Sequence, residues 1–158
     1  MIELIEVADV DFDWMFGQAQ STRGLTLPPG GVDTPQTLAV VRRMDVALIE
    51  AHGQGAWMIV SDRELVGLCG YLRPPTAGEA EIGYGVAASR RNRGHATAAV
   101  ATMLVAAAAD PAISTVVART GAKNVPSQRA LMHNGFVRAG AERDEEGGEM
   151  IVWRRAVP

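Results

Sequence analysis

A single cysteine, Cys69, among 158 residues excludes an internal disulfide. Its setting in "LVGLCGYL" reads as a buried strand, without the electropositive surroundings that make a thiol reactive. Such usage fits a reducing compartment. Charge of one sign is also missing, since 15 Lys plus Arg stand against 18 Asp plus Glu, a net of −3. That balance provides no global field for nucleic acid or an anionic membrane surface. Any anion site must be local. Long apolar runs are absent as well: the longest uncharged stretch, Gly94 to Ala109, contains His95 and two threonines and falls short of the roughly 20 apolar residues that span a bilayer. The start, "MIELIEVADVDFDW", alternates acidic and apolar residues and lacks the basic region and apolar core of a signal peptide. Three histidines and one cysteine show no zinc-ligand spacing, so no metal is expected. Neither a repeat nor a low-complexity tract is visible. These absences predict a soluble, cytoplasmic protein with no nucleic-acid or membrane partner. The length suits one domain over residues 1–158, burying roughly 70% of the surface its unfolded chain exposes.

The order of elements follows from periodicity and breakers. Met1 to Val7 alternates as a strand, and a short helical piece fits Asp11 to Phe16. Gly17 to Thr34, with "GLTLPPGGVDT", predicts an unusually long loop. Thr34-Pro35 starts a helix in which Leu38, Val41, Met44, Ala47 or Leu48, and Ala51 recur at helical spacing as far as His52 and Gly53. "AWMIVSDRELVGLCGYL" reads as an antiparallel hairpin turning at Ser61 to Glu64, and Ala80 to Val86 as a third run. A helix from Gly94, carrying Ala96, Val100, Met103, Leu104 and Ala107 on one face, ends at Asp110-Pro111. Ile113 to Arg119 is the next strand, and Asn124 to Asn134 a helix with Gly135 suited to a left-handed cap. Two strands, about Phe136 to Arg143 and Glu149 to Ala156, close the chain. Strands paired early and late around middle helices imply an α/β fold of the α+β kind with a mixed sheet.

One junction stands out. "RRNRGHATAA", residues 90–99, concentrates three arginines and a histidine between a strand and a helix. A helix N-terminus presents unpaired N–H groups and about half a positive charge, so arginines placed there oppose the dipole unless an anion joins them. Gly94 lets an oxygen approach the backbone, Ala96 is small, and Arg90, Arg91, Arg93 and His95 supply charge. The stretch lacks the P-loop pattern, and no GxGxxG follows the first strand, which disfavours nucleotide triphosphate and dinucleotide sites.

Arg91-x-x-Gly94-x-Ala96, following a strand and opening a helix, resembles the acetyl-coenzyme A pyrophosphate loop of the GNAT acetyltransferase superfamily. "NVPSQRALMHNGF", about thirty residues later, is similar to that family's second segment, in which an Asn opens a helix that ends in Gly-Phe. The resemblance implies a mixed, mostly antiparallel sheet with flanking helices, whose fourth and fifth strands splay to admit the pantetheine arm. It also implies acetyl-CoA as acyl donor. Arg91, Asn92, Arg93, Gly94, His95, Ala96 and Thr97 would cradle the pyrophosphate, the N–H of Val86 or a neighbour would hold the thioester carbonyl, and Asn124 would contact the donor or order its loop. The better-known branch has a general-acid tyrosine four residues before the Gly of Gly-Phe. Leu131 stands there, while Asn124 with Ser127 is similar to the RimJ/RimL-like branch, whose members acetylate protein N-termini or small amines.

The implied activity is direct attack of a primary amine on the bound thioester. Glu81, sharing a strand face with Gly83 and Gly85, is the candidate base, with Glu79 as competitor, and Ser127 the candidate proton donor. Asp11, Asp13 and Asp33 are candidates to attract a cationic acceptor, and Tyr84 could face its pocket. A peptide N-terminus or amine-bearing small molecule would be the partner, and a homodimer is compatible with such a domain. The competing reading is an acyl-CoA-binding sensor or scaffold without turnover.

Overall fold

The computed structural model describes residues 1–158. Strand β1 (Ile2–Glu6) leads into helix α1 (Asp9–Met15) and helix α2 (Pro35–His52), then β2 (Trp57–Ser61), β3 (Glu64–Tyr71) and β4 (Glu79–Val86). A 3-10 turn, Ala88–Arg90, precedes α3 (His95–Ala108), which is followed by β5 (Thr115–Gly121), α4 (Val125–His133), β6 (Val137–Arg143) and β7 (Glu149–Ala156). All seven strands form one sheet in the order β1-β2-β3-β4-β5-β7-β6. Every neighbouring pair is antiparallel except β4 and β5. The mixed, mostly antiparallel α/β sheet with flanking helices is therefore present.

The sheet carries apolar groups on both faces because helices cover both. Alternation sends Trp57 and Ile59 to one side, where they pack with Val100 and Met103 of α3 and Leu131 of α4. It sends Met58 and Val60 to the other, against Phe12 and Trp14 of α1 and Leu38 of α2. This explains the near-continuous burial of β2 and β3. Helix starts follow the local chemistry. Thr34 caps α2 by accepting from the Thr37 N–H at 3.2 Å, and Asp11 folds back to accept from the Ala8 N–H at 2.8 Å, starting α1 two residues earlier than periodicity suggests. The fifth strand begins at Thr115 rather than Ile113, because Ile113 N–H closes a turn onto the Asp110 carbonyl. Burial pushes the Cys69 thiol up to about 12, in keeping with an inert core position.

The parallel pair β4 and β5 is short. Pairing runs from Glu79 with Thr115 to Ile82 with Ala118 and stops. β4 continues to Val86 and β5 to Gly121 without partnering each other, so the sheet opens as a V between them. On its other edge β4 stays paired with β3 as far as Val86. The flanking bonds, Leu72 N–H to the Glu81 carbonyl and Ala87 N–H to the Val66 carbonyl, fix the alternation: residues 81, 83, 85 and 87 face β3. The Tyr84 and Val86 amides therefore point into the gap.

Candidate active site

A groove of about 1280 Å³ lies at the mouth of the V, lined among others by Val86, Arg91, Gly94, His95, Asn124 and Ser127. The start of α3 shapes one wall. Asn92 (φ 62) and Gly94 (φ 80) are both left-handed, and this curls the chain into a concave run of N–H groups. The first helical bond is Ala98 N–H to the Gly94 carbonyl, which leaves the amides of His95, Ala96 and Thr97 without an intrahelical acceptor. No side chain caps them. A Cβ on Gly94 would meet nothing within 4 Å, so the space in front of these amides is open.

The arginines divide into two kinds. Arg90 forms a fork to Glu64 of β3, Nε to Oε1 at 2.5 Å and Nη2 to Oε2 at 3.1 Å, and so braces the turn. Arg91 and Arg93 form no ion pair within the chain. His95 is held below the ordinary histidine range, first by burial and then by Arg93, so it meets a ligand as a neutral ring at pH 7. Free positive charge at the junction thus comes from Arg91, Arg93 and the helix terminus.

Across the groove, Asn124 caps α4 by accepting from the Ser127 N–H at 3.3 Å. Asn134 donates to the Thr97 carbonyl at 3.0 Å and the Ala130 carbonyl at 2.8 Å, fastening the first turn of α3 to α4. The Tyr84 hydroxyl lies 2.7 Å from Ser127 Oγ, joining β4 to α4 over the gap. Burial raises the Tyr84 phenol, with the Ser127 contact acting in the opposite direction, so it remains protonated at neutral pH. Leu131 is fully buried in the core, which is why that position offers no group to the groove.

A second pocket, about 200 Å³, adjoins the first and shares Tyr84 and Gly85 with it. It lies under α2, against the face carrying Gly70, Gly83 and Gly85, and is walled by Val32, Val41, Met44 and Leu48. Asp33 and Asp45 are its two acidic residues. Asp33 Oδ2 stands 4.0 Å from where a Cβ on Gly85 would lie. The other acidic candidates have structural partners: Asp11 pairs with Arg23 at 3.1 Å and Asp13 with Arg42 at 3.1 Å. Glu81 is 6% exposed and both its oxygens are engaged, by Arg73 at 2.5 Å and Arg119 at 2.9 Å. Glu79 pairs with Arg154.

The family model for the acetyltransferase (GNAT) domain matches residues 2–137. The chain belongs to the GNAT acetyltransferase family. No curated protein matches the sequence, but solved structures share the fold. An acetyl transferase from Salmonella typhimurium that modifies the N-terminal serine of a 50S ribosomal subunit protein superposes with a TM-score of 0.77 at 15% identity, covering 99% of this chain and 95% of that one. RimL, a ribosomal α-N-protein acetyltransferase in complex with coenzyme A, gives 0.75 at 15%, with 99% and 94% covered. The microcin self-immunity acetyltransferase MccE, in complex with acetyl-CoA and AMP, gives 0.74 at 14%, with 99% and 92% covered.

For a GNAT acetyltransferase the acyl donor is acetyl-CoA, and the groove suits it: unbonded amides and the Arg91 guanidinium, unpaired with any carboxylate, for a pyrophosphate, and a gap between strands for a narrow arm. Of the residues singled out by sequence, Val86, Arg91, Asn92, Gly94, His95, Ala96, Thr97, Asn124 and Ser127 converge on this groove. Arg93 lies in the same loop without lining it, and Glu81 lines neither cavity. Asp45 and Asn134 escaped notice. Asp45 had a signal, since it sits between Val41 and Leu48 on the otherwise apolar face of α2.

Proposed function

We propose that this protein transfers acetyl from acetyl-CoA to a primary amine, of a peptide N-terminus or a small molecule, by direct attack. The observation that carries the proposal is the meeting of two cavities at Tyr84 and Gly85: an anion-binding groove on one side, an apolar pocket with two carboxylates on the other. The pyrophosphate rests on the amides of residues 94–97 with Arg91 and Arg93 as counter-charges. The Val86 N–H, free of β3 and aimed into the gap, donates to the thioester oxygen as charge builds there.

The acceptor reaches the thioester from the pocket under α2. An α-amine has a pKa of about 8, so losing a proton at neutral pH requires little assistance. Asp33, at the rim beside Gly85, attracts the ammonium, and its proton leaves to that carboxylate or to water. We place this role at Asp33 rather than Glu81, whose two arginines bind it into the β4–β5 framework. The departing thiolate, of parent pKa about 8.5, takes a proton from the Tyr84–Ser127 pair, which combines the expected Ser127 with a phenol supplied from β4.

Thiol release from acetyl-CoA across a panel of small amines and short peptides tests the activity. Release that depends on the acceptor is expected, whereas tight acetyl-CoA binding with no release for any acceptor would favour a sensor. Tyr84→Phe should lower kcat by about 10- to 100-fold with the KM for acetyl-CoA little changed. An unaltered kcat would assign the proton to solvent.

A further inference from the structure

The chain buries three acidic residues, Asp11, Asp45 and Glu81. Asp11 has Arg23, and Glu81 has Arg73 and Arg119. Asp45, 1% exposed, has no cation at all. Its one protein hydrogen bond runs from the Ala56 N–H to Oδ1 at 2.7 Å. No fully enclosed side-chain oxygen lacks a partner, so Oδ2, which has none, is not fully enclosed, and Asp45 lines the pocket under α2. A buried carboxylate without a counter-charge is costly unless something supplies one. Burial raises its proton affinity, only partly offset by the Ala56 bond, with Asp9 and Glu6 adding to the rise. Arg42, three residues earlier on the same helix, is committed to Asp9 and Asp13.

Position adds chemistry to this vacancy of charge. Asp45 sits over Ala56, which lies against Gly70, which pairs with Gly83. Ala56 and Gly83 are therefore separated by two inter-strand spacings, about 9.6 Å; the floor is bare at Gly70, and the Leu72 side chain rests on Gly83. Asp33 marks the far end, beside Gly85. Between the two carboxylates the walls are apolar, formed by Val32, Val41, Met44 and Leu48. Such a slot fits an alkyl spacer with a hydrogen-bond-donating or cationic head at each end.

We propose that the acceptor is a bifunctional amine: one amino group is presented at Asp33 for acetylation, an apolar spacer lies over Gly70 and against the Leu72 side chain, and a second, cationic head is received by Asp45. This rests on the acetyl-transfer reading for the identity of the pocket, but its test does not depend on turnover. Calorimetric titration of the full-length protein saturated with coenzyme A compares α,ω-diaminoalkanes, from 1,5-diaminopentane to 1,8-diaminooctane, with monoalkylamines of the same length. The best diamine should bind at least about 10-fold tighter than its monoamine, the range of a charge-assisted hydrogen bond. In Asp45→Asn, which retains an oxygen for the Ala56 N–H, that ratio should fall towards one. Equal or tighter binding of the monoamine by the unaltered protein overturns the proposal whether or not the variant folds, and so does a ratio that survives in a folded Asp45→Asn. Thiol release with the same pairs separates the two readings. Diamine binding that depends on Asp45 without release would remove acetyl transfer and leave the second-head site standing, while release with monoamines as efficient as with diamines would do the reverse.

Discussion

Replacing Gly94 by glutamate should weaken acetyl-CoA binding by at least about 100-fold. Two effects add. At φ 80 the residue occupies the left-handed region, where a side chain costs roughly 1–2 kcal/mol. The new carboxylate would also project into the open space before the His95, Ala96 and Thr97 amides, repelling the phosphates and competing for the same donors. Gly94→Ala separates the two: it carries the strain without the charge and should bind within about 10-fold of the original. Because nothing lies within 4 Å of the added Cβ, neither variant should unfold the chain. Titration calorimetry with acetyl-CoA, alongside melting curves, checks both, and similar affinities for the Glu and Ala variants would place the pyrophosphate elsewhere.

Val86→Pro should reduce kcat by about 100- to 1000-fold, the cost of removing one donor to a developing oxyanion. Proline is informative because the Val86 N–H faces the gap and not β3, so no ladder bond is lost, and an extended strand accommodates its fixed φ. Val86→Ala retains the amide and should stay within about 3-fold of the original rate, since Val86 is only half-buried and lies outside the packed core. Acetyl-CoA affinity should be nearly the same in both. A full rate in the proline variant would exclude this amide from the chemistry.

Much of this was legible in the sequence, for particular reasons. Strands β2 and β3 announced themselves as apolar runs around the polar turn at residues 61–64, and α2 through Thr34-Pro35 and its terminal Gly53. The α3 junction was legible because arginines at a helix N-terminus conflict with the dipole, a local contradiction that an anion resolves. What stayed hidden depended on partners distant in the chain. Arg90 looked as free as Arg91 until Glu64, 26 residues earlier, was seen to take it. Glu81 looked like a base because it shares a face with Gly83 and Gly85, yet Arg73 and Arg119 reach it from neighbouring strand ends. The missing tyrosine at Leu131 and the phenol of Tyr84 lie on different elements, and only the fold brings Tyr84 to Ser127. Asp45 was passed over because periodicity marks an apolar face without asking what a lone acid does on it.

The most direct test incubates the protein with acetyl-CoA labelled in its acetyl group and a diamine acceptor, then follows the label and the free thiol together. The account predicts labelled amide on the acceptor in equal amount to the thiol released, abolished by Gly94→Glu. Donor binding with neither thiol release nor labelled acceptor, across diamines, monoamines and peptides, would contradict it.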